Sequence, residues 1–449
     1  MIIGIRREDK NRWERRSPLT LEDVRDLISG HGAQFVVQPS ISPLPQPTEH
    51  SPVRVYDDDA YTRAGARIAE DLSSCDLILG VKEMPLSLFR PGGAYLFFSH
   101  TIKCQPYNMT MLKQILERGC TLFDYELIAD EQNRRKVFFG HHAGLAGMID
   151  SLAALGRRLA VEGIPSPFAE LGMAHEYPSL PDAQAAILEV GGKINARGLD
   201  ERIAPLVVGF AGYGNVSKGA QEILDLLPTH ELQPEALPGL RAHSDVDNRH
   251  VYKVEFHESD MFVPREPNAS FELHHYFQHS DLYASVFERY LPHLNVLING
   301  IYWNEKVARL VTKEFLRGLY AAGQPHLRVI GDISCDIGGG IEATARATDP
   351  DKPCFVYDVE TGAARSGYAG RGPVIMAVDN LPCELPLEST QHFSNSLRDF
   401  VAEFARADLS RREGLASLSY PLRRSLITFR GALEPQFQYM ADCVRRLAP

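Results

Sequence analysis

Two basic side chains follow apolar runs that are typical of buried strands. Lys82 comes after the run from Cys75 to Val81, and His100 comes after the run from Tyr95 to Phe98. Open parallel sheets bind their ligands at the carboxyl ends of the strands, so both side chains are candidates for a reactive site. A desolvated lysine has a pKa below its usual value of about 10.4, which suits it to proton transfer. Taken alone, Lys82 could equally be a surface lysine, and His100 a histidine with a purely structural hydrogen bond.

A glycine turn links an apolar strand to a helix in the middle of the chain. The strand Leu206 to Ala211 leads into Gly-Tyr-Gly-Asn-Val-Ser-Lys-Gly. Glycines in such a turn allow a tight bend and a close backbone approach, and the following helix offers free N–H groups to a pyrophosphate. Ser217 stands where a third glycine is usual, so a turn without a nucleotide remains an alternative. The residues predicted to bind a dinucleotide are Gly212, Tyr213, Gly214, Asn215 and Val216.

The choice of dinucleotide depends on the strand that follows the glycine loop. A carboxylate about twenty residues further on usually binds the ribose 2'-hydroxyl of NAD. Here the predicted strand in Thr229-His-Glu-Leu-Gln ends on Gln233, which would not repel a 2'-phosphate. The sequence therefore favours NADP(H), and Glu231 keeps NAD(H) open as the alternative.

Strand and helix signals alternate in two separate regions. The first region begins with a strand at Ile2 to Arg6 and a helix opened by Thr20, and the second runs from Leu206 to Val378. Such alternation is typical of parallel sheets. We expect an α/β protein with two doubly wound, Rossmann-like domains and an interdomain cleft. The predicted substrate and catalytic domain is 1–162, completed by 380–449, and the predicted dinucleotide-binding domain is 163–379.

Composition and local sequence argue against several other classes of protein. The 449 residues carry a net charge of -11, which argues against a nucleic-acid binder. No segment is long and apolar enough to span a membrane, and the first residues lack a signal sequence. Seven cysteines without a CxxC pair indicate free thiols in a cytoplasmic protein. His275 and His279 are spaced one helical turn apart but have no further ligands nearby, so no metal is predicted.

Several longer strings resemble one enzyme family in collinear order from Ile3 to Glu388. The strings Phe98-Ser-His-Thr-Ile-Lys-Cys-Gln-Pro, Gly214-Asn-Val-Ser-Lys-Gly-Ala-Gln and Leu297-Ile-Asn-Gly-Ile-Tyr-Trp are similar to lysine-ketoglutarate reductase. That family forms the N-terminal half of the bifunctional aminoadipic semialdehyde synthase and is related to saccharopine and alanine dehydrogenases. The resemblance implies an NADPH-dependent condensation of L-lysine with 2-oxoglutarate to saccharopine, the first step of lysine degradation.

The resemblance also implies roles for individual residues. Lys82 and His100 match the acid–base pair, and Arg16 matches an arginine that holds a substrate carboxylate. Arginine forks suit the carboxylates of 2-oxoglutarate, and acidic side chains suit the ammonium of lysine. The remaining matches are Glu83 and Glu126 in the substrate site, Arg135 as a second carboxylate-binding arginine, and Asp336 near the nicotinamide.

Two alternatives to this function stay open at the sequence level. The first is another amino-acid dehydrogenase, either an NAD-linked saccharopine dehydrogenase or an alanine dehydrogenase. The second is a non-catalytic protein that senses lysine or NADP. Because the sequence has no C-terminal saccharopine dehydrogenase half, we expect a separate saccharopine dehydrogenase to take the product. The sequence leaves a homo-oligomer open.

Overall fold

The computed structural model describes residues 1–40, 53–242, 246–323 and 325–446. The proline-rich surface loop predicted between Pro39 and Pro52 falls mostly outside these ranges. None of the described helices is long and apolar enough to cross a membrane. The described strands are β1 (Ile2–Ile5), β2 (Gln34–Val37), β3 (Arg67–Ile68), β4 (Leu77–Leu79), β5 (Ala94–Phe97), β6 (Thr121–Asp124), β7 (Leu206–Ala211), β8 (Thr229–Leu232), β9 (Val251–Phe256), β10 (Phe262–Pro264), β11 (Tyr283–Ser285), β12 (Val296–Asn299), β13 (Val329–Asp332), β14 (Cys354–Tyr357), β15 (Ala364–Ser366), β16 (Val374–Met376), β17 (Leu426–Phe429) and β18 (Ala432–Leu433).

The α-helices lie between or after these strands along the chain. In chain order the described α-helices are α1 (Leu21–His31), α2 (Asp58–Arg63), α3 (Pro106–Glu117), α4 (Gly140–Val161), α5 (Leu180–Arg197), α6 (Asn215–Leu224), α7 (Glu258–Met261), α8 (Leu273–Gln278), α9 (Lys313–Ala321), α10 (Pro386–Arg406), α11 (Arg412–Leu415), α12 (Tyr420–Ser425) and α13 (Met440–Arg445).

Contacts divide the chain into two compact units. The first consists of Met1–Phe139 and Pro386–Pro449, and the second is Gly140–Leu385. The predicted bounds differ at two places, because the sequence assigns both 140–162 and 380–385 to the first domain. Helix α4 instead packs against α6, β13 and β16 of the second unit. It is buried around most of its circumference, so its sequence alone does not indicate which sheet it covers.

The first unit is built on a mixed sheet with the order β18-β17-β6-β5-β4-β1-β2-β3. The six strands from β1 to β6 pair in parallel, and β17 adds to β6 in the antiparallel direction. Helix α1 begins where the sequence predicts, because the Thr20 side chain accepts the Asp23 amide at 3.2 Å. The C-terminal segment therefore belongs to this sheet through β17 and β18.

The second unit contains a sheet with the order β15-β14-β16-β13-β12-β7-β9-β8. The position of strand β7 between two hydrophobic cores explains why its sequence is a continuous apolar run. Leu206, Val208 and Phe210 pack into one core, whereas Val207 and Ala211 pack into another. Both faces of the sheet are therefore covered, as parallel strands require. The prediction of two Rossmann-like α/β folds is confirmed.

The prediction that all cysteines are free thiols is wrong for two of them. Cys104 and Cys443 form a disulfide, with their Cα atoms 5.8 Å apart. The bond joins the segment before α3 to helix α13. The two residues are separated by 339 positions, so no local motif marks the pair. Among the described residues, the free cysteines are Cys75, Cys120, Cys335, Cys354 and Cys383.

Helices α4 and α6 touch backbone to backbone in the second unit. A Cβ atom on Gly144 would clash with the carbonyl oxygen of Val216, and one on Gly219 would clash with the carbonyl oxygen of His141. Gly219 therefore allows helix α6 to approach helix α4 closely. This contact fixes the start of α6 beneath the glycine loop.

We predict that Gly144→Ala lowers the free energy of unfolding by about 1–3 kcal/mol, because the added methyl overpacks the contact between the helices. Gly192→Ala on α5 is the matched control, since no heavy atom lies within 4 Å of its added Cβ. That control should be neutral or stabilising by up to about 1 kcal/mol through helix propensity. Urea denaturation of both variants measures the difference, and equal effects would contradict the packing account.

Candidate active site

The carboxyl ends of parallel strands gather several polar side chains at one edge of the first sheet. Strands β1, β4, β5 and β6 are neighbours in this sheet and run in the same direction. Lys82 follows β4, His100 follows β5 and Glu126 follows β6. Lys82, His100 and Glu126 therefore lie together at the carboxyl ends of the parallel strands, where the sequence places Lys82 and His100.

A buried carboxylate fixes the backbone that carries Lys82. Glu8 accepts the Val81 amide at 2.8 Å and the Lys82 amide at 3.0 Å, and its carboxylate lies 3.2 Å from the Arg6 guanidinium. Burial raises the pKa of Glu8, and the charge of Arg6 opposes that shift. Sequence reasoning missed Glu8, since the two amides that donate to it lie more than seventy positions away.

Lys82 lies where its ammonium is poorly solvated. Burial is the largest cause that lowers its pKa, and the neighbouring charges of Arg16 and Lys10 lower it further. Among residues 1–40, 53–139 and 386–446, no carboxylate oxygen lies within 4 Å of this ammonium. A lysine in such surroundings loses its proton at a lower pH than an exposed lysine, which suits it to proton transfer.

His100 has an unusual backbone and an acidic neighbour. Its φ of 51° lies in the left-handed region, and Asn108 donates a hydrogen bond to its carbonyl oxygen at 3.1 Å. The Nδ1 atom lies 3.6 Å from a Glu126 carboxylate oxygen, and the ring stacks on Phe98. The nearby His100 side chain is the largest cause that lowers the pKa of Glu126. Backbone strain of this kind is concentrated at functional sites.

Glu83 lies among three cationic or basic groups. Burial alone would raise its pKa, but Lys10, His100 and Lys82 together lower it. The Lys10 ammonium lies 3.1 Å from the Glu83 carboxylate. Glu83 therefore remains ionised beside both members of the predicted acid–base pair. Lys10 is a second residue that sequence reasoning missed.

Arg16 is held in a fixed orientation inside the first unit. Its guanidinium donates to the Glu14 carboxylate at 2.7 Å and lies 4.3 Å from the centre of the Phe139 ring. Arg16 and Glu14 are both buried. Glu14 therefore offsets much of the positive charge of Arg16, which its sequence position did not indicate.

Arg135 differs from Arg16 in its exposure. It lies on the surface, with its guanidinium 6.0 Å from the Phe98 ring. Its charge also contributes to the lowered pKa of Glu126, after the contribution of His100. Arg135 is thus near the predicted site, although few contacts fix its position.

The second unit contains the glycine loop. Gly212 has a φ of 94°, and a Cβ there would lie 2.6 Å from the Ile301 side chain. A Cβ on Gly214 would meet no atom within 4 Å, so the backbone is open at the start of α6. Asn215 and Val216 begin that helix. A diphosphate can approach the free N–H groups of this turn, and the loop fits a dinucleotide.

The loop borders an apolar cavity of about 410 Å³. Tyr213 lies at its edge and stacks on His257, with the ring centres 4.4 Å apart. The other described residues that line the cavity are Gly212, Gly214, Glu258, Met261, Phe262, Tyr276, Phe277, Ser280, Gly300, Ile301, Tyr302, Asn304 and Val307. A cavity of this size and lining suits a flat aromatic ligand group.

Two predicted cofactor residues lie away from this cavity. Gln233 follows β8, which is the edge strand of the sheet and is separated from β7 by β9. Asp336 lies in the turn after β13, where its carbonyl oxygen accepts the Gly339 amide. Neither residue is among the described residues that line the cavity beside the glycine loop. The predicted place of Asp336 near the nicotinamide stays a prediction.

Family models match both parts of the chain. The model of the alanine dehydrogenase/PNT N-terminal domain matches residues 4–146, and that of the C-terminal domain matches residues 253–433. The chain aligns along its whole length with a solved L-alanine dehydrogenase, with a TM-score of 0.60 and 18% identity. At that identity the structural match concerns the fold alone.

Curated relatives agree with the resemblance drawn from the sequence. The chain is 38% identical to alpha-aminoadipic semialdehyde synthase of Arabidopsis thaliana, with 98% of this chain and 41% of the relative covered. The mitochondrial alpha-aminoadipic semialdehyde synthase of Bos taurus is 35% identical, with 98% and 47% covered. The chain thus spans less than half the length of these relatives. An NAD(+), L-lysine-forming saccharopine dehydrogenase of Neurospora crassa is 24% identical, with 88% and 89% covered.

We predict that Lys82→Met raises the thermal midpoint at pH 7, because it removes the cost of burying an ammonium. The lowered pKa means that the unfolded chain binds this proton more tightly. The advantage of the variant should therefore be present below the folded pKa of Lys82 and shrink as the pH rises toward the ordinary pKa of an exposed lysine. Lys113→Met, at an exposed position on α3, is the control. Melting curves from pH 7 to 10 measure both, and a destabilised Lys82→Met variant would contradict the account.

Proposed function

Because the chain belongs to the alanine dehydrogenase/PNT family, we propose that this oxidoreductase condenses L-lysine with 2-oxoglutarate and reduces the resulting imine to saccharopine. The observation that carries the proposal is the similarity to alpha-aminoadipic semialdehyde synthases over 98% of the chain. The desolvated Lys82 and the pair of His100 and Glu126 support it.

The charges of the first unit suit these two substrates. 2-Oxoglutarate carries two carboxylates, and arginine binds carboxylates with two parallel hydrogen bonds. Arg16 is assigned to one of them, because Glu14 and Phe139 fix its orientation. Arg135 is assigned to the other. Glu83 remains ionised and is assigned to an ammonium group of L-lysine.

Proton transfer is the main chemical task of the first unit. The side-chain ammonium of the substrate L-lysine must lose a proton before its nitrogen can attack the ketone carbon of 2-oxoglutarate. Lys82, whose pKa is lowered by burial, is the group proposed to accept that proton. His100, oriented by Glu126, is proposed to donate a proton to the hydroxyl that leaves as water when the imine forms. Glu8 is a positioning residue, since it holds the backbone of Lys82.

The family implies a nicotinamide cofactor. The glycine loop fits this group, because its backbone is open at Gly214 and because Asn215 and Val216 start a helix there. These residues would hold the diphosphate, and the nicotinamide would supply the hydride when bound. The preference for NADP(H) drawn from the sequence requires Gln233 to lie beside the ribose. Gln233 instead follows β8, the edge strand of the sheet, so its position does not support that preference.

We predict that the purified chain oxidises a reduced nicotinamide nucleotide only when L-lysine and 2-oxoglutarate are both present. Absorbance at the nicotinamide band follows the turnover with NADH and with NADPH, and chromatography against authentic saccharopine identifies the product. L-alanine with oxidised nucleotide should give little signal. Oxidation without saccharopine would reject the proposed substrates.

We predict that Lys82→Met and His100→Gln each lower kcat by about 100-fold to 10,000-fold, the usual effect of losing an acid–base group. Nucleotide affinity should stay near that of the parent chain, since the glycine loop is on the second unit. Lys113→Met serves as the matched surface control. Full turnover in both site variants would remove these residues from the proposed mechanism.

A further inference from the structure

A buried carboxylate at the end of β6 contacts the segments that follow two neighbouring strands. Asp124 is the last residue of β6 and is fully buried. Its Oδ2 atom accepts the Ser99 amide at 3.0 Å and also accepts the Ser99 hydroxyl. Its Oδ1 atom accepts the Glu126 amide at 2.7 Å. Asp124 therefore joins the segment after β5 to the segment after β6.

The hydrogen bonds around Asp124 extend to both sides of His100. Ser99 precedes His100 in the chain, and Thr101 follows it. The hydroxyl oxygens of Ser99 and Thr101 lie 2.8 Å apart, and both residues are buried. His100 has a left-handed φ of 51°, which a residue with a side chain keeps only where its surroundings hold the backbone. Asp124 and the two hydroxyls provide that support.

The contacts of Asp124 suit the ionised form of its side chain. The amides of Ser99 and Glu126 only donate, and the Ser99 hydroxyl is free to donate when it accepts from Thr101. An ionised carboxylate accepts from every one of these groups. Burial raises the pKa of Asp124, and the hydrogen bonds from Ser99 and Glu126 oppose that shift. One buried carboxylate is thus enclosed by donors from both segments, and it acts on them rather than on a substrate.

The two segments that Asp124 joins carry the predicted proton-donating pair. The Nδ1 atom of His100 lies 3.6 Å from a carboxylate oxygen of Glu126. A charge-assisted hydrogen bond needs about 2.7–2.9 Å, and such bonds often tighten only when the substrate is bound. Once formed, a bond at Nδ1 fixes the tautomer and the orientation of an imidazole. Small shifts of either segment therefore decide whether Glu126 orients His100.

We propose that Asp124 is a positioning residue, whose single carboxylate holds the His100 segment and the Glu126 segment at the separation that their pairing needs. The inference rests on the proposed function for the role of His100 in proton transfer, and it deepens that function by adding a residue that acts through the backbone. Glu8 holds the backbone of Lys82 in a similar way. Each member of the predicted acid–base pair thus has its own buried carboxylate.

Asp124→Asn tests the proposal, because it keeps the size of the side chain but replaces one accepting oxygen with a donating amide. We expect kcat of the proposed reaction to fall by about 10-fold to 100-fold, the scale on which loss of an orienting partner lowers activity in metal sites. Nucleotide affinity, measured by calorimetric titration, should stay at the parental value, since the glycine loop is on the second unit. A parental kcat in this variant would overturn the proposal.

A double-variant cycle with His100→Gln separates positioning from general damage. Residues that act as one unit are not additive, so adding Asp124→Asn to His100→Gln should lower kcat by no more than about two-fold. A full further loss in that background would overturn the proposal. Ser99→Ala removes only the hydroxyl that donates to Asp124, and it should give a smaller loss with the same lack of additivity. If Asp124→Asn does not fold, a parental kcat in Ser99→Ala overturns the proposal by itself.

Asp23→Asn is the matched control for the loss of a buried carboxylate. Asp23 is also buried in the first unit, but it accepts hydrogen bonds from the hydroxyls of Thr20 and Ser394. This variant should keep the parental kcat even if its thermal midpoint falls. A loss of kcat equal to that of Asp124→Asn would show that any buried carboxylate of the first unit has this effect, and the proposal would then be wrong.

The reactivity of the His100 imidazole tests the proposal without any turnover. Diethyl pyrocarbonate modifies imidazoles, and peptide mass spectrometry measures the rate at His100, whose side chain is 34% exposed. The rate should rise in Asp124→Asn, because the ring is no longer held beside Glu126, and it should stay parental in Asp23→Asn. Equal rates in the parent chain and in Asp124→Asn would overturn the proposal. A parent chain that shows this rate change but forms no saccharopine would reject the proposed function alone.

Discussion

The candidate site of the first unit depends on the hydrogen bonds that the buried carboxylate of Glu8 accepts. This carboxylate accepts two consecutive amides, those of Val81 and Lys82, and pairs with Arg6. Burying a carboxylate without such partners would cost roughly several kcal/mol of folding free energy. All three contacts are therefore needed to stabilise Glu8 in this position. They fix the turn after β4 and leave the Lys82 side chain in a poorly solvated position. Burial of Lys82 at this turn is the largest cause of its lowered pKa.

Local sequence predicts the features that depend on local physics. The apolar runs that precede Lys82 and His100 place both at strand ends, and the structure has them there. The glycine turn between β7 and α6 is found as predicted, since its residues are consecutive in the chain. The functional roles of these residues remain predictions, because the fold fixes their positions and not their chemistry.

Features that depend on distant pairing could not be predicted in this way. Strand β9 inserts between β7 and β8, and no local pattern specifies the order of strands in a sheet. That insertion moves Gln233 to the edge and brings Glu258 beside the glycine loop. Glu14 is a further example, because its place two residues before Arg16 in the sequence does not indicate that both residues are buried as a pair. The disulfide between Cys104 and Cys443 could not be predicted for the same reason, because its two cysteines are distant in the sequence.

Isotope transfer tests the central claim most directly. The chain is incubated with 2-oxoglutarate, L-lysine labelled with nitrogen-15 at the side-chain amine, and nucleotide deuterated at both hydrogens of the reduced nicotinamide C4. Tandem mass spectrometry then locates the labels in the product. The account predicts saccharopine that keeps the labelled nitrogen and gains one deuterium on the former ketone carbon. Deuterium in free glutamate or in another amino acid, without the labelled adduct, would contradict it.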